Sequence, residues 1–152
     1  MAQDAIALLE ADHQRVETLF HEFQASKADQ ASKADHATRL DLAQIICMEL
    51  TMHSTLEEEL FYPAFAKASG DQQLVQRALD EHQQVKDLIA QVPRAQDVNG
   101  LITQIAADML KHIEEERRDL FPKTQSLGMD LAALGRQMEK RRAELAQVRQ
   151  EA

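Results

Sequence analysis

Six residues of this 152-residue chain stand out by type and by spacing: His13, His53, Glu57, His82, His112 and Glu116. Each histidine interrupts a run of apolar residues that recur at three- and four-residue steps, the pattern of a buried helical stripe. The first stripe reads Ile6, Leu9, His13, Val16, Phe20, Phe23, and the second Leu42, Ile46, Leu50, His53, Glu57, Phe61. The third reads Val75, Ala78, His82, Val85, Ile89, Val92, and the fourth Val98, Ile102, Ile105, Met109, His112, Glu116. Four helices therefore each turn an imidazole inward, and two of them add a carboxylate. One histidine on an apolar face is ordinarily satisfied by a backbone carbonyl or a water. A convergent set is different, because buried carboxylates and imidazoles are costly unless they pair with one another or with a cation. A multivalent metal neutralises the whole set.

Residues four apart lie about 40° apart around a helix and roughly 6 Å along it, so His53 with Glu57, and His112 with Glu116, each present two donors to one place. The chain writes this arrangement twice. DHQRV (12–16) precedes HSTLEEELFYP (53–63), and EHQQV (81–85) precedes HIEEERRDLFP (112–122). Two matching helix pairs predict a pseudo-twofold site for two metals, each taking two imidazoles, with both glutamates bridging. Imidazoles and carboxylates without a thiolate suit iron well and manganese or zinc acceptably. A bridging oxide or hydroxide would leave one open position on each octahedral metal. Facing Val16, Phe20, Ile46, Val85 and Met109, such positions admit a diatomic molecule more readily than a large substrate. Cys47 is off the stripe and reads as packing, and Glu58, Glu59, Glu114 and Glu115 flank the six but point away from the stripe, to be solvated or at most to stand behind the inward groups. Tyr62, on neither stripe, reads as a helix-end contact, and His21 and His36 read as surface residues. A carboxylate-rich di-metal bundle of the Glu-x-x-His kind is the structural competitor. It finds only Glu10 and His13 at the required spacing, and Glu10 lies off the stripe.

The elements that must position these groups are helical. Aromatic residues make up 4% of the chain, Trp is absent, and Gly and Pro are scarce, which is helix vocabulary. A first helix is expected from Asp4 to about Ala25, followed by a polar connection, ASKADQASKADHAT, in which ASKAD occurs twice. The second should end near Pro63 or run on until Gly70 stops it, the third should close at Pro93 and the fourth at Pro122. The expected architecture is an all-α, up-down-up-down four-helix bundle over about 4–122, with a C-terminal amphipathic helix over about 127–149, in a single domain. The last helix carries Leu127, Leu131, Leu134, Met138, Leu145 and Val148 on one stripe, and Arg136, Lys140, Arg141, Arg142 and Arg149 on a face expected to be solvated with local ion pairs. A net charge of −9 argues against generic nucleic-acid binding. One cysteine forbids an intrachain disulfide, and the absence of a leader-like start or a long apolar run points to a cytoplasmic protein without a membrane partner.

In combination DHQRV, HSTLEEELFYP, DEHQQV and HIEEERRDLFP are specific, and the chain resembles the bacterial hemerythrin-like proteins with the HHE cation-binding domain from about Ile6 to Leu145. The resemblance implies a bundle holding a non-haem, oxo-bridged pair of iron ions through the same six residues. It also implies a small ligand: O2, nitric oxide or peroxide. Two departures separate this chain from the oxygen-carrying hemerythrins. Those place a second histidine one turn away on the third helix, where this chain has Ala78 and Lys86. Their fourth-helix carboxylate is an aspartate five residues after the histidine, where this chain has Glu116 at four. The expected role is therefore binding of O2 or nitric oxide in sensing, scavenging or stress response. The alternatives are an enzyme acting on peroxide or nitric oxide, and an iron storage or delivery protein.

Overall fold

Apolar residues at helical spacing, closed by short polar caps, build every element of the structure, a computed structural model that describes residues 3–27 and 33–151, with side chains at 3–26 and 38–148. Helix α1 spans Ala5–Lys27. Helix α2 runs over 33–69 and is α-helical at Lys33–Leu56, π-helical at Glu57–Phe61 and α-helical again at Tyr62–Ser69. Helix α3 spans Gln72–Gln91 and ends in a 3-10 turn at Val92–Arg94. Helix α4 runs over 98–126, with a second π turn at Glu116–Leu120 between Val98–Glu115 and Phe121–Ser126. Helix α5 spans Leu131–Glu151. The described residues form the expected helical bundle with an added C-terminal helix.

Aspartates start four of the helices. Asp4, Asp71, Asp97 and Asp130 each accept a hydrogen bond from the backbone N–H three residues on, at 2.8–3.0 Å. Each satisfies a donor that the first turn leaves without an intrahelical partner. Gly70, at φ 71°, ends α2 in the left-handed region, and its N–H returns to the Ala66 carbonyl at 2.8 Å. Of the two expected ends for the second helix, the Gly70 stop is the one observed. The expected stop at Pro122 is not, since α4 continues to Ser126. The physical reason lies in the π turns. Pro63 and Pro122 each fall in the first turn of the α-segment that follows a π turn, where the missing N–H costs least. The connection before α2 is partly helical, because α2 begins at Lys33; His36 and Arg149 lie outside the residues with described side chains.

Two apolar clusters form the core. One gathers Leu9, Leu56, Phe61, Phe65, Val75, Leu134 and Met138. The other gathers Val16, Phe20, Ile46, Leu50, Val85, Ile105 and Met109. Between Leu9 and Val16, Leu50 and Leu56, Ala78 and Val85, and Met109 and Leu120 the chain places His13, His53, His82 and His112, all buried. The polar groups therefore form a layer between two greasy ends of the bundle. Helix α5 seals one end, with Met138 wholly buried and Gly135 lying so close to α1 that a Cβ there would sit 2.5 Å from the Gln3 carbonyl oxygen.

Its arginines are not confined to a solvated face. Arg141 makes a two-pronged pair with Glu59 of α2 at 2.9 and 3.1 Å, and Arg142 reaches Asp12 of α1 at 2.6 Å. No helix among the described residues is long and apolar enough to cross a membrane.

Candidate metal centre

The i, i+4 spacing places His53 Nε2 3.0 Å from Glu57 Oε1 and His112 Nε2 3.4 Å from Glu116 Oε1. Packing of α1 on α2 and of α3 on α4 supplies the remaining imidazoles. His13 Nε2 lies 3.2 Å from His53 Nε2, and His82 Nε2 lies 3.0 Å from His112 Nε2. The two glutamates stand between these pairs. Glu57 Oε1 is also 3.1 Å from His82 Nε2, and Glu116 Oε1 is 3.3 Å from His13 Nε2. All six predicted groups converge, in two lobes that could each hold a metal ion: His13, His53, Glu57 and Glu116 in one, and Glu57, His82 and His112 in the other.

Every imidazole is oriented by a carboxylate on its far side. Nδ1 of His13 lies 3.1 Å from Glu10, that of His53 3.0 Å from Asp12, that of His82 2.8 Å from Glu58 and that of His112 2.8 Å from Glu81. With the proton on Nδ1 and donated outward, each Nε2 turns a lone pair into the site. Two lone pairs about 3 Å apart repel, and only a proton or a cation between them makes the contact favourable. Glu57 Oε2 and Glu116 Oε1 are buried with no hydrogen-bond donor. Facing nitrogens and orphaned carboxylate oxygens are the donor set of a metal centre, so the residues present fit metal ions.

Without a metal, protons take its place. Burial opposes charge on His53, but the Glu57 charge and hydrogen bonds to Asp12 and Glu57 overcome it, and its pKa is pushed up to about 10. His82, also disfavoured by burial, is pushed up to about 9 by hydrogen bonds to Glu57 and Glu58 and by the nearby carboxylate charges. Burial would raise Glu57; the His53 charge and its hydrogen bonds hold it well below the ordinary carboxylate range. Glu116 moves the other way, raised by burial and then by repulsion from Glu57.

A seventh group occupies the centre. Tyr62, expected at the helix end, is buried, and its hydroxyl lies 2.9 Å from Glu116 Oε2, 3.1 Å from both His82 Nε2 and His112 Nε2, and 3.3 Å from Glu57 Oε1. In an uninterrupted α-helix Tyr62 would be turned roughly 140° from Glu57, which is why the stripes exclude it. The π turn closes with the Tyr62 N–H on the Glu57 carbonyl, five residues back, and brings the ring around to the same face. The same turn in α4 places Phe121 where its partner half has Tyr62, and Phe121 stacks on His13 with ring centroids 5.7 Å apart and planes 12° apart. The signal available in sequence was the proline at Glu57+6 and Glu116+6, inside runs whose apolar pattern continues past it.

The flanking glutamates are also closer than their azimuths suggest. Glu58 is half-buried between His82 and Lys86, and Glu115 lies beside Glu81. Cys47 is half-buried, its thiol pushed up to about 11 by burial, consistent with packing. His21 is exposed.

No curated protein matches the sequence. A solved structure that resembles it is that of a hemerythrin HHE cation-binding domain-containing protein from Mycobacterium kansasii. It is 26% identical, aligns over 93% of this chain and 86% of its own, and has a TM-score of 0.73. The family model described as the hemerythrin HHE cation-binding domain matches residues 4–124, a span that holds the inward histidines, both glutamates and Tyr62 and stops short of α5. The chain belongs to the hemerythrin HHE cation-binding domain family.

Proposed function

We propose that the chain is a non-haem di-iron protein in which His13, His53, Glu57, His82, His112 and Glu116 hold two iron ions, Glu57 and Glu116 serving both. The observation that carries this is the apposition of Nε2 atoms across two lobes that share Glu57, together with orphaned oxygens on both carboxylates. The iron pair would supply reversible binding and reduction of O2, nitric oxide or peroxide. The chain's own part is to hold four imidazoles by their Nδ1 protons, to keep water out with an apolar layer on either side, and to bring the Tyr62 hydroxyl to the His82/His112 lobe. Tyr62 serves there as a further oxygen donor to that metal, or as the proton donor to a ligand bound on it. Its single proton is placed to go to one acceptor, and Glu116 Oε2 is the nearest.

The expected role is binding of O2 or nitric oxide in sensing, scavenging or stress response. A second reading, turnover of peroxide, is favoured by the Tyr62 hydroxyl, because cleavage of an O–O bond needs a proton delivered to a leaving oxygen. Metal analysis joined to an absorption spectrum tests both. Two irons per chain with near-ultraviolet oxo-to-iron bands is the expected result; a visible phenolate-to-iron band that Tyr62→Phe removes would assign Tyr62 as a donor to the metal, and its absence would leave the hydroxyl as the proton source. Zinc alone, or no metal, would overturn the redox function. Anaerobic reduction followed by nitric oxide, O2 or peroxide then separates a stable adduct from turnover.

A further inference from the structure

Beside the donor cluster, α3 and α4 leave a hollow of about 10 Å³, room for about one water. Its walls include two groups of the centre itself, His112 and Glu116, then Glu81, which holds His112 Nδ1, and Arg77 and Glu115. Ala78 forms the floor. It lies one helical turn before His82, on the same face and 4% exposed, and any longer side chain there would fill the hollow. The larger hollows of the described residues, such as those at Phe23 and Val98 or at Met48 and Leu145, include none of the six donors.

What closes the hollow from solvent is weak. Arg77 is about half exposed and pairs with Asp119 at 3.1 Å and, more loosely, with Glu115 at 3.8 Å. Exposed pairs of this kind contribute little, and exposed side chains change rotamer in nanoseconds or less. Glu115 Oε2 has no hydrogen-bond donor of its own to hold it in place. The wall behind, by contrast, is packed helix.

We propose that this gap is the route by which the ligand reaches the His82/His112 lobe, with Ala78 keeping it open and Arg77 as the side chain that limits what passes. It admits molecules no bulkier than hydrogen peroxide, nitric oxide or O2, and excludes alkyl hydroperoxides. The inference rests on the di-iron reading of the centre, and it names the ligand class by size.

The test uses the full iron-loaded chain, reduced and mixed with nitric oxide in a stopped-flow instrument, and separately the same reduced chain mixed with hydrogen peroxide or tert-butyl hydroperoxide, whose O–O bond would be cleaved with two electrons from the iron pair. Ala78→Leu should slow nitric oxide association and dissociation by the same factor, about ten-fold or more, and leave the affinity and iron content unchanged. A plug changes a path and not an equilibrium. Arg77→Ala should speed association a few-fold and let tert-butyl hydroperoxide react. Should Ala78→Leu fail to retain iron, Ala78→Val and Arg77→Ala carry the same comparison in opposite directions. Unchanged rates in these variants, with a normal adduct in the unaltered chain, would overturn the route and leave the centre's function standing. An iron-loaded, unaltered chain that forms no adduct with nitric oxide or peroxide would instead overturn the functional reading, and the route with it.

Discussion

In the lobe built by α1 and the first half of α2, Phe121 lies flat on His13, and the outer nitrogens are held by Glu10 and Asp12. In the lobe built by α3 and α4, a hydroxyl from Tyr62 stands between His82 and His112, and the outer nitrogens are held by Glu58 and Glu81. The inner donors are nearly symmetric and the surroundings are not. Asp12 is tied to Arg15 and to Arg142 of α5, whereas Glu81 sits against a second carboxylate, Glu115. Even matching positions are used differently: Glu58 touches a histidine of the centre, while Arg117, its counterpart, holds Glu10 at 3.0 Å, and Glu10 touches the histidine. A duplicated motif can therefore keep an inward set of donors while its two lobes become chemically distinct. One is walled by a ring, and the other faces a hydroxyl.

The largest expected effect treats the lobes alike. Stripping the metals with a chelator should lower stability by about 4 kcal/mol where free metal had exceeded its dissociation constant a thousand-fold, a fall in melting temperature on the order of 10 °C by scanning fluorimetry. The stripped chain should then acquire a pH dependence. His53 and His82 rise from 6.5 to about 10 and about 9 when folded. Their protons are bound more tightly by the folded form, so this stabilisation is complete below pH 6.5 and is lost as pH climbs through 9 to 10. The loaded chain should not lose stability in parallel, because metal binding displaces those protons and strengthens as pH rises. Melting curves at pH 6, 8 and 10 with and without chelator check this; superimposable pH profiles would contradict it.

Next in size, one imidazole can be taken from each lobe. His53→Ala and His82→Ala should each reduce the chain to one metal or fewer by elemental analysis, and each should cost about 2–3 kcal/mol, with the partner carboxylate left uncompensated. A variant that keeps two metals would remove that histidine from the set.

Making the lobes alike is a smaller perturbation. Tyr62→Phe copies the Phe121 arrangement into the second lobe. It should leave iron content unchanged, change stability by about 1 kcal/mol, and abolish any peroxide turnover while sparing nitric oxide binding. Loss of nitric oxide binding as well would mean that the hydroxyl holds the site together and does not act on the ligand.

How much of this was legible in sequence follows the period of the α-helix. His13, His53, Glu57, His82, His112 and Glu116 precede any break in that period, so 3.6-residue spacing was enough to turn all six inward. Tyr62 follows a break. The stripe arithmetic carried it to the wrong side of α2, as it carried the end of α4 to Pro122 instead of Ser126. Contacts from α5 were hidden for another reason. Arg142 and Asp12 are 130 residues apart, and nothing in a local pattern of alternating charges tells a solvated arginine from one that reaches across the bundle.

The smallest effect concerns that contact. Arg142 is partly exposed, and Asp12 retains Arg15 when it is removed. Arg142→Ala should lower stability by about 1 kcal/mol or less, and should weaken metal retention in the His13/His53 lobe before the other. Chelator competition followed by metal counting checks the order; equal weakening of both lobes would show that α5 acts on the bundle as a whole.

The two π turns have a consequence for how such a centre can be altered. Each takes up one residue more than an α-turn, so the ring that follows sits five residues after its glutamate and still faces the centre. Removing a single residue from 58–61 should restore an even helix and leave the tyrosine four residues after Glu57, about 40° from it and on the same face. The same deletion in 117–120 should leave the phenylalanine on the face of His13. A deletion, usually tolerated only in loops, would here be absorbed within a helix, and a shortened chain that keeps its metal content would be its signature.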